Sequence, residues 1–168
     1  MSTFLKDVLH RINAGLGTTE DEYYQAIAKS FLVSCDNAHA LHPNHAEKTD
    51  AVNFVTMNGG IVIKESANQK YTTDAFSRAL FTGVCQNVNV PVQSFANRSD
   101  VVGGSTLGNL SNTQVSVHAV DFGLAQLAMH SCFETAGVKD TEYAIVALKE
   151  FYETNVQIEE AESVCLEK

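Results

Sequence analysis

The segment SCDNAHALHP, residues 34–43, places three side chains of metal-ligand type at even spacing: Asp36, His39 and His42. Carboxylate oxygens and neutral imidazole nitrogens bind divalent cations at about 2 Å. Asp36 follows an apolar run typical of a buried strand, and open α/β sheets bind ligands at that edge. The segment therefore predicts part of a metal site. A helix-capping or surface aspartate beside two hydrogen-bonded structural histidines is the alternative explanation.

His130 is a further candidate ligand, because it follows a predicted strand and precedes SCFE, residues 131–134, which has the pattern of a capping box. We expect a helix to begin at Ser131. The positive end of a helix dipole favours the neutral imidazole, which is the form that binds metal. The structural alternative is an imidazole that hydrogen-bonds the helix cap.

Two more segments carry groups suited to a substrate pocket. Lys64 lies late in the predicted strand IVIK, where a lysine either pairs with a substrate carboxylate or snorkels from the sheet edge to water. The glycine turn GGST, residues 103–106, presents backbone N–H groups to an anionic or carbonyl oxygen, a weak signal on its own. The sequence has no G-x-S-x-G motif, so a serine hydrolase is poorly supported.

Composition restricts the class of protein. The 168 residues are 45% hydrophobic and 18% charged, which predicts one compact domain over residues 1–168. The net charge of -9 repels phosphate backbones and argues against nucleic acid as a partner. No apolar run approaches the roughly 18 residues of a membrane helix, so no membrane partner is expected. The four cysteines are scattered, which predicts free thiols and a cytoplasmic location.

Hydrophobic periodicity predicts the elements that position these residues. Helices are expected within residues 4–17, 18–30, 72–89 and 140–155, and strands within residues 30–35, 59–71, 90–97 and 114–124. The second helix takes Thr18 or Thr19 as its cap, the third a threonine, and the last Asp140 or Thr141. The tail after Glu159 is expected to fray. The alternation predicts an α/β fold with a mainly parallel sheet and helices on its faces.

Four segments taken together, residues 34–45, 61–73, 95–109 and 120–137, resemble the C-terminal part of the aspartyl-aminopeptidase family. The strings D-x-A-H-A-x-H-P-N and M-H-S carry most of this resemblance, which extends from FLKDVLHRI to the last long helix. It implies a three-layer zinc-peptidase-like sandwich, represented here by an incomplete C-terminal half. It also implies a two-metal aminopeptidase that removes acidic or neutral N-terminal residues from peptides.

The resemblance gives each candidate residue a role. Asp36 and His130 match ligands of two divalent metal ions, expected to be zinc, with manganese or cobalt as alternatives. His39 and His42 match histidines that order a loop and a subunit contact. Four other residues match positions that line or face the substrate pocket: Lys64, Tyr71, Gly104 and Ser105.

The family's general base and remaining metal ligands belong to an upstream portion that this sequence does not contain, so no catalytic residue is assigned here. Two hypotheses follow. The chain is either part of a metallo-aminopeptidase that acts only with a complementing N-terminal half, or a non-catalytic truncated paralogue that serves as an interaction or assembly subunit. Homo-oligomers and an exposed apolar surface are expected in both cases.

Overall fold

The computed structural model describes residues 2–160 and 163–167. Its helices are α1 (Phe4–Leu16), α2 (Glu20–Ala28), α3 (Ala75–Asn87), α4 (Leu107–Asn112) and α5 (Val138–Glu153). Its strands are β1 (Phe31–Cys35), β2 (Ala38–His39), β3 (Ile61–Glu65), β4 (Val92–Ala96), β5 (His118–Gly123), β6 (Ala125–Leu127), β7 (Thr135–Ala136), β8 (Asn155–Glu160) and β9 (Ser163–Glu167). Among the described helices, none has the length and apolar character needed to cross a membrane.

The central sheet has the strand order β1-β5-β3-β4. β1 runs parallel to β5, and β3 runs parallel to β4, while β5 and β3 meet as an antiparallel pair in the middle of the sheet. A smaller sheet of β2, β6 and β7 continues from the ends of β1 and β5. The predicted α/β class and mainly parallel sheet are therefore confirmed, with one antiparallel join that periodicity did not predict.

The two faces of the sheet bury different side chains, because successive strand residues point to opposite sides. On one face Ile61, Ile63 and Phe122 pack with Phe81 of α3 and with α5. On the other face Val62 packs in a second cluster with residues from loops, including the fully buried Val55. This second face carries the candidate site, since no long helix covers it in the described part of the chain.

Local hydrogen bonds explain where α2 and α3 begin. Thr19, one of the two threonines that the sequence offered, caps α2, and the structure adds a complete capping box with Glu22. The cap of α3 is Asp74 rather than a threonine, because the Asp74 carboxylate accepts the Ser77 N–H at 2.8 Å. Thr73 is engaged elsewhere, since its hydroxyl accepts the N–H of Asp121 at 2.9 Å.

The start of α5 also differs from the prediction. Gly137 occupies the cap position, and Asp140 lies inside the first turn of the helix, fully buried. Its carboxylate accepts the backbone N–H groups of Asn58 at 2.6 Å and Gly60 at 2.9 Å. Asp140 therefore ties the helix to the turn that precedes β3 instead of capping its own helix.

Two further predictions were wrong. No helix begins at Ser131: residues 128–133 form turns, and the Glu134 carboxylate accepts the N–H of His130 before the chain enters β7. The tail after Glu159 does not fray over its described residues, because β9 pairs with β8 as an antiparallel hairpin. Residues 161, 162 and 168 of that tail lie outside the described residues.

Candidate active site

A cavity of about 420 Å³ lies on the second face of the sheet, where several loops and strand ends meet. Its walls include all but one of the residues that the sequence singled out: Asp36, His39, Lys64, Tyr71, Gly104, Ser105 and His130. His42 is the exception and lines a neighbouring cavity. Segments far apart in sequence thus bring the candidate metal ligands and the candidate substrate-binding residues to one cavity.

The backbone fixes the position of Asp36 directly after β1. The Asp36 N–H donates to the carbonyl oxygen of Phe122 at 2.8 Å, which extends the parallel pairing by one residue. Gly123 follows on β5, and a Cβ added to it would lie 2.0 Å from the carbonyl oxygen of Asp36. The close approach of these two backbones is therefore open only to glycine at position 123.

Lys64 is a buried cation beneath the cavity, with only 2% of its side chain exposed. Its Nζ lies 3.1 Å from Asp36 Oδ2, donates to the carbonyl oxygen of Asn37 at 3.2 Å, and sits 4.9 Å from the ring centroid of Tyr71. A buried ammonium needs such partners to offset its lost hydration. The lysine does not snorkel to water. It holds one oxygen of Asp36, whose side chain remains 52% exposed.

Tyr71 closes the wall of the cavity beside Lys64. The phenol oxygen of this buried tyrosine accepts a hydrogen bond from Asn97 Nδ2 at 3.1 Å. Burial raises the pKa of Tyr71 above its ordinary value, and the hydrogen bond from Asn97 opposes this shift in part. The hydroxyl therefore stays protonated at neutral pH and can donate a hydrogen bond into the cavity.

Sequence reasoning missed Asp121, which lies fully buried in the middle of β5. Its Oδ2 accepts the backbone N–H of Thr72 at 2.6 Å and the Thr72 hydroxyl at 2.9 Å, which anchors the segment next to Tyr71. Its Oδ1 has no hydrogen-bond partner among the described residues. The signal was a carboxylate within the otherwise apolar strand sequence AVDFG, since a buried charge requires partners.

The histidines occupy different positions around the cavity. His130 is exposed in the turn after β6, with a left-handed φ of 67°, and its N–H donates to Glu134. His39 lines both this cavity and the neighbouring one. His42 Nδ1 accepts the N–H of Asn44 at 3.1 Å, a contact of the kind that orders a loop. The side chain of His39 makes no hydrogen bond to another of the described residues.

Asp36 and His130 have the donor chemistry of zinc ligands, one carboxylate oxygen and one imidazole nitrogen. A catalytic zinc takes three protein ligands and keeps one position open. Over residues 2–160 and 163–167, no three His, Cys, Asp or Glu side chains come together in a group that could hold a metal ion. Asp36 and His130 therefore bring two donors of zinc-ligand type to one cavity, and the described residues do not supply a complete metal centre.

Known proteins resemble the chain over most of its length. Residues 1–152 match the model of the aminopeptidase I zinc metalloprotease (M18) family. Over 151 residues the chain is 45% identical to "Probable M18 family aminopeptidase 2" of Clostridium novyi, covering 90% of this chain and 35% of that protein. It is 42% identical over 159 residues to "Aspartyl aminopeptidase 1" of Schizosaccharomyces pombe, covering 95% of this chain and 33% of that protein. The chain thus spans about a third of the length of these curated relatives.

Solved structures show the same fold. The cryo-EM structure of the Ape4 and Nbr1 complex superposes with a TM-score of 0.86 at 43% identity, covering 90% of this chain and 29% of that chain. The mApe1 dodecamer of S. cerevisiae gives a TM-score of 0.74 at 26% identity, covering 89% and 32% respectively.

Proposed function

Because the chain belongs to the M18 family of aminopeptidase I zinc metalloproteases, we propose that it supplies the C-terminal portion of a metallo-aminopeptidase catalytic domain. The complete domain removes acidic or neutral N-terminal residues from peptides. The observation that carries the proposal is that Asp36 and His130 line one cavity together with Lys64 and Tyr71. The chain requires the remaining portion of the domain for hydrolysis, since no three donor side chains among its described residues come together in a group that could hold a metal ion.

In this proposal Asp36 and His130 hold divalent metal, and the family description supports zinc. We propose two ions, with manganese or cobalt as the alternatives to zinc. A bound divalent ion supplies a Lewis acid and lowers the pKa of its water toward neutral. The role of Lys64 is to orient the Asp36 carboxylate, because its Nζ lies 3.1 Å from Asp36 Oδ2. The exposed half of the Asp36 side chain stays accessible.

Four residues of the cavity wall are proposed to bind the substrate. Lys64 places a positive charge under the cavity, which favours a peptide whose first residue is acidic. Tyr71 offers a protonated hydroxyl. The turn at Gly104 and Ser105 faces open space, because a Cβ added at Gly104 would meet no atom within 4 Å. That space leaves room for a peptide backbone to approach the N–H groups of the turn.

A complementation assay tests the proposal. The chain is mixed with the portion of the Clostridium novyi relative that it does not match, in the presence of zinc, manganese or cobalt. Release of N-terminal glutamate, aspartate and leucine from chromogenic substrates is then measured. Activity above that of either part alone is expected, with loss on Asp36→Asn or His130→Gln and no loss in the matched control Asp21→Asn on α2, which lines neither cavity. Equal activity in all three variants would contradict the proposed ligands.

A second candidate function is favoured by α1, which buries none of its residues in the domain. Its apolar side chains line one side of the helix and remain exposed: Phe4, Leu5, Val8, Ile12 and Leu16. Such a stripe suits a non-catalytic assembly subunit, either in a homo-oligomer or with a full-length relative. A relative of known structure forms a dodecamer. Light scattering that finds a monomer, together with no co-purification of a relative, would count against this function.

The proposal assigns the chain to the cytoplasm. All four cysteines are free in the structure, and free thiols suit a reducing compartment. Cys85 is buried in the core, while the other three are exposed. Fractionation of cells that express the chain, followed by detection with an antibody, measures its location.

A further inference from the structure

A second cavity, of about 340 Å³, adjoins the first and shares four of its wall residues: His39, Phe95, Asn97 and Val101. The two cavities therefore form neighbouring parts of one surface depression. Because the cavities share wall residues, an extended peptide, which advances about 3.3 Å per residue, can continue from the first cavity into the second.

Apolar atoms make up the larger part of the wall of the second cavity. Its apolar residues come from β4, from β6 and from the loops beside them: Ala40, Phe95, Ala96, Val101, Leu127 and Ala128. A wall of this kind binds an aliphatic or aromatic side chain, because small-molecule and peptide sites are lined mainly by apolar groups.

Charged groups around this cavity are largely engaged with one another. Arg98 pairs with Asp100, with its Nε 2.9 Å from Asp100 Oδ1. Asp50 Oδ1 accepts two backbone N–H groups of its own turn, at 3.0 and 2.7 Å. His45 Nδ1 lies 3.1 Å from Glu47 Oε1. An ionic ligand would have to displace these partners or pair with the exposed Lys48, whereas an apolar side chain would need neither.

We propose that the second cavity is the subsite for an apolar side chain on the peptide residue that follows the N-terminal residue. This inference rests on the proposed function, which seats the N-terminal residue in the first cavity. A leucine at the second position gains burial that an alanine lacks, and hydrophobic pockets discriminate such differences by about tenfold or more.

Methyl-detected NMR titration of the full chain tests the subsite with three peptide amides: Glu-Leu, Glu-Ala and Glu-Glu. Glu-Leu amide is expected to shift the methyl resonances of Leu127 and Ala128, which line only the second cavity, and to bind about tenfold more tightly than Glu-Ala amide. Ala96→Leu fills the second cavity without entering the wall of the first, so it should bring the two affinities together. The matched control Ala79→Leu lies on the exposed side of α3 and should preserve the difference.

Leu127→Ser provides a second variant that removes apolar wall instead of adding it, and it should also reduce the preference for leucine. Thermal melts followed by circular dichroism establish that each variant is folded. Binding of Glu-Leu and Glu-Ala with equal affinity overturns the subsite but leaves the proposed function in place. A preference for Glu-Glu overturns it in favour of an ionic site at the exposed Lys48. Failure of all three peptides to bind also overturns the subsite, while the proposed function is tested separately by the complementation assay.

Discussion

Replacing Asp140 with asparagine tests whether one buried carboxylate holds α5 against the turn that precedes β3. Both carboxylate oxygens are in use: Oδ2 accepts the N–H of Asn58 at 2.6 Å, and Oδ1 accepts the N–H of Gly60 at 2.9 Å. The side chain is fully buried, so water cannot replace either contact easily. The position in the first turn of α5 also favours a negative charge, because it lies near the positive end of the helix dipole.

The expected cost follows from these contacts. A hydrogen bond to a charged group contributes about 1.5–3 kcal/mol, and a buried donor left without a partner costs about 1–3 kcal/mol. Asparagine keeps one acceptor oxygen but turns an NH₂ group toward the other backbone N–H. We therefore expect Asp140→Asn to lower the free energy of unfolding by about 3 kcal/mol. That is a large fraction of the free energy of unfolding of a typical domain, which is about 5–15 kcal/mol.

Urea denaturation measures this change. Far-UV circular dichroism is the appropriate signal, since the chain has no tryptophan. With a typical slope of about 1–3 kcal/mol per molar urea, the midpoint should fall by about 1–3 M. Glu142→Gln is the matched control, because it removes one exposed carboxylate from the same end of α5. A midpoint for Asp140→Asn that equals that of the control would refute the reasoning.

Substitutions at four other positions probe different parts of the fold and site. Burial raises the pKa of Cys85 to about 12, so the folded protein keeps the thiol proton at a pH where the unfolded chain loses it. The free energy of unfolding should therefore fall as pH rises from about 9 toward 12, by up to about 1.4 kcal/mol per pH unit. Cys85→Ala should flatten this slope in urea titrations at pH 8, 9 and 10. Lys64→Met should cost less than Lys64→Ala, because methionine retains most of the buried volume and the Asp36 carboxylate left without its partner is half-exposed. Lys64→Ala should cost about 2–4 kcal/mol in thermal melts. Gly60 has φ 108°, and an added Cβ would lie 2.2 Å from the carbonyl oxygen of Pro91. Gly60→Ala should therefore lower the free energy of unfolding by at least about 2 kcal/mol. An unchanged melting temperature would contradict this prediction. Asp121→Asn retains an acceptor for Thr72, so it should cost less than Asp121→Ala, which should lose about 2–3 kcal/mol in the same melts.

Sequence patterns predicted the elements whose causes are local. The apolar spacing of α1 and the threonine cap of α2 involve residues within a few positions of one another, and both were predicted. The SCFE segment has the same local pattern, yet no helix follows it. Glu134 binds the N–H of His130 in a turn, and the chain then pairs with β6 as β7. A capping box therefore predicts a helix only where the following residues can bury an apolar face.

Contacts between distant segments could not be predicted from the sequence. Asp140 resembled a helix cap because of its position, but the donors that it binds belong to residues 58–60. The antiparallel join of β5 with β3 and the pairing of Lys64 with Asp36 likewise depend on the order of strands in space. For the candidate site, resemblance to a family identified the residues that share a cavity. Spacing alone gave no means of bringing His130 to the cavity that Asp36 lines.

The close packing at Gly123 makes the geometry of the candidate site depend on the absence of a side chain at that position. A hydrogen atom stands where any other amino acid would put carbon, and this alone lets the main chain at Asp36 lie against β5. One methyl group there would push the neighbouring main chain outward, and Asp36 would be carried away from Lys64 and from the opening of the cavity. The alignment of a carboxylate is thus governed by a position that offers no chemistry of its own, so an inactivating change at that position would leave every reactive side chain intact.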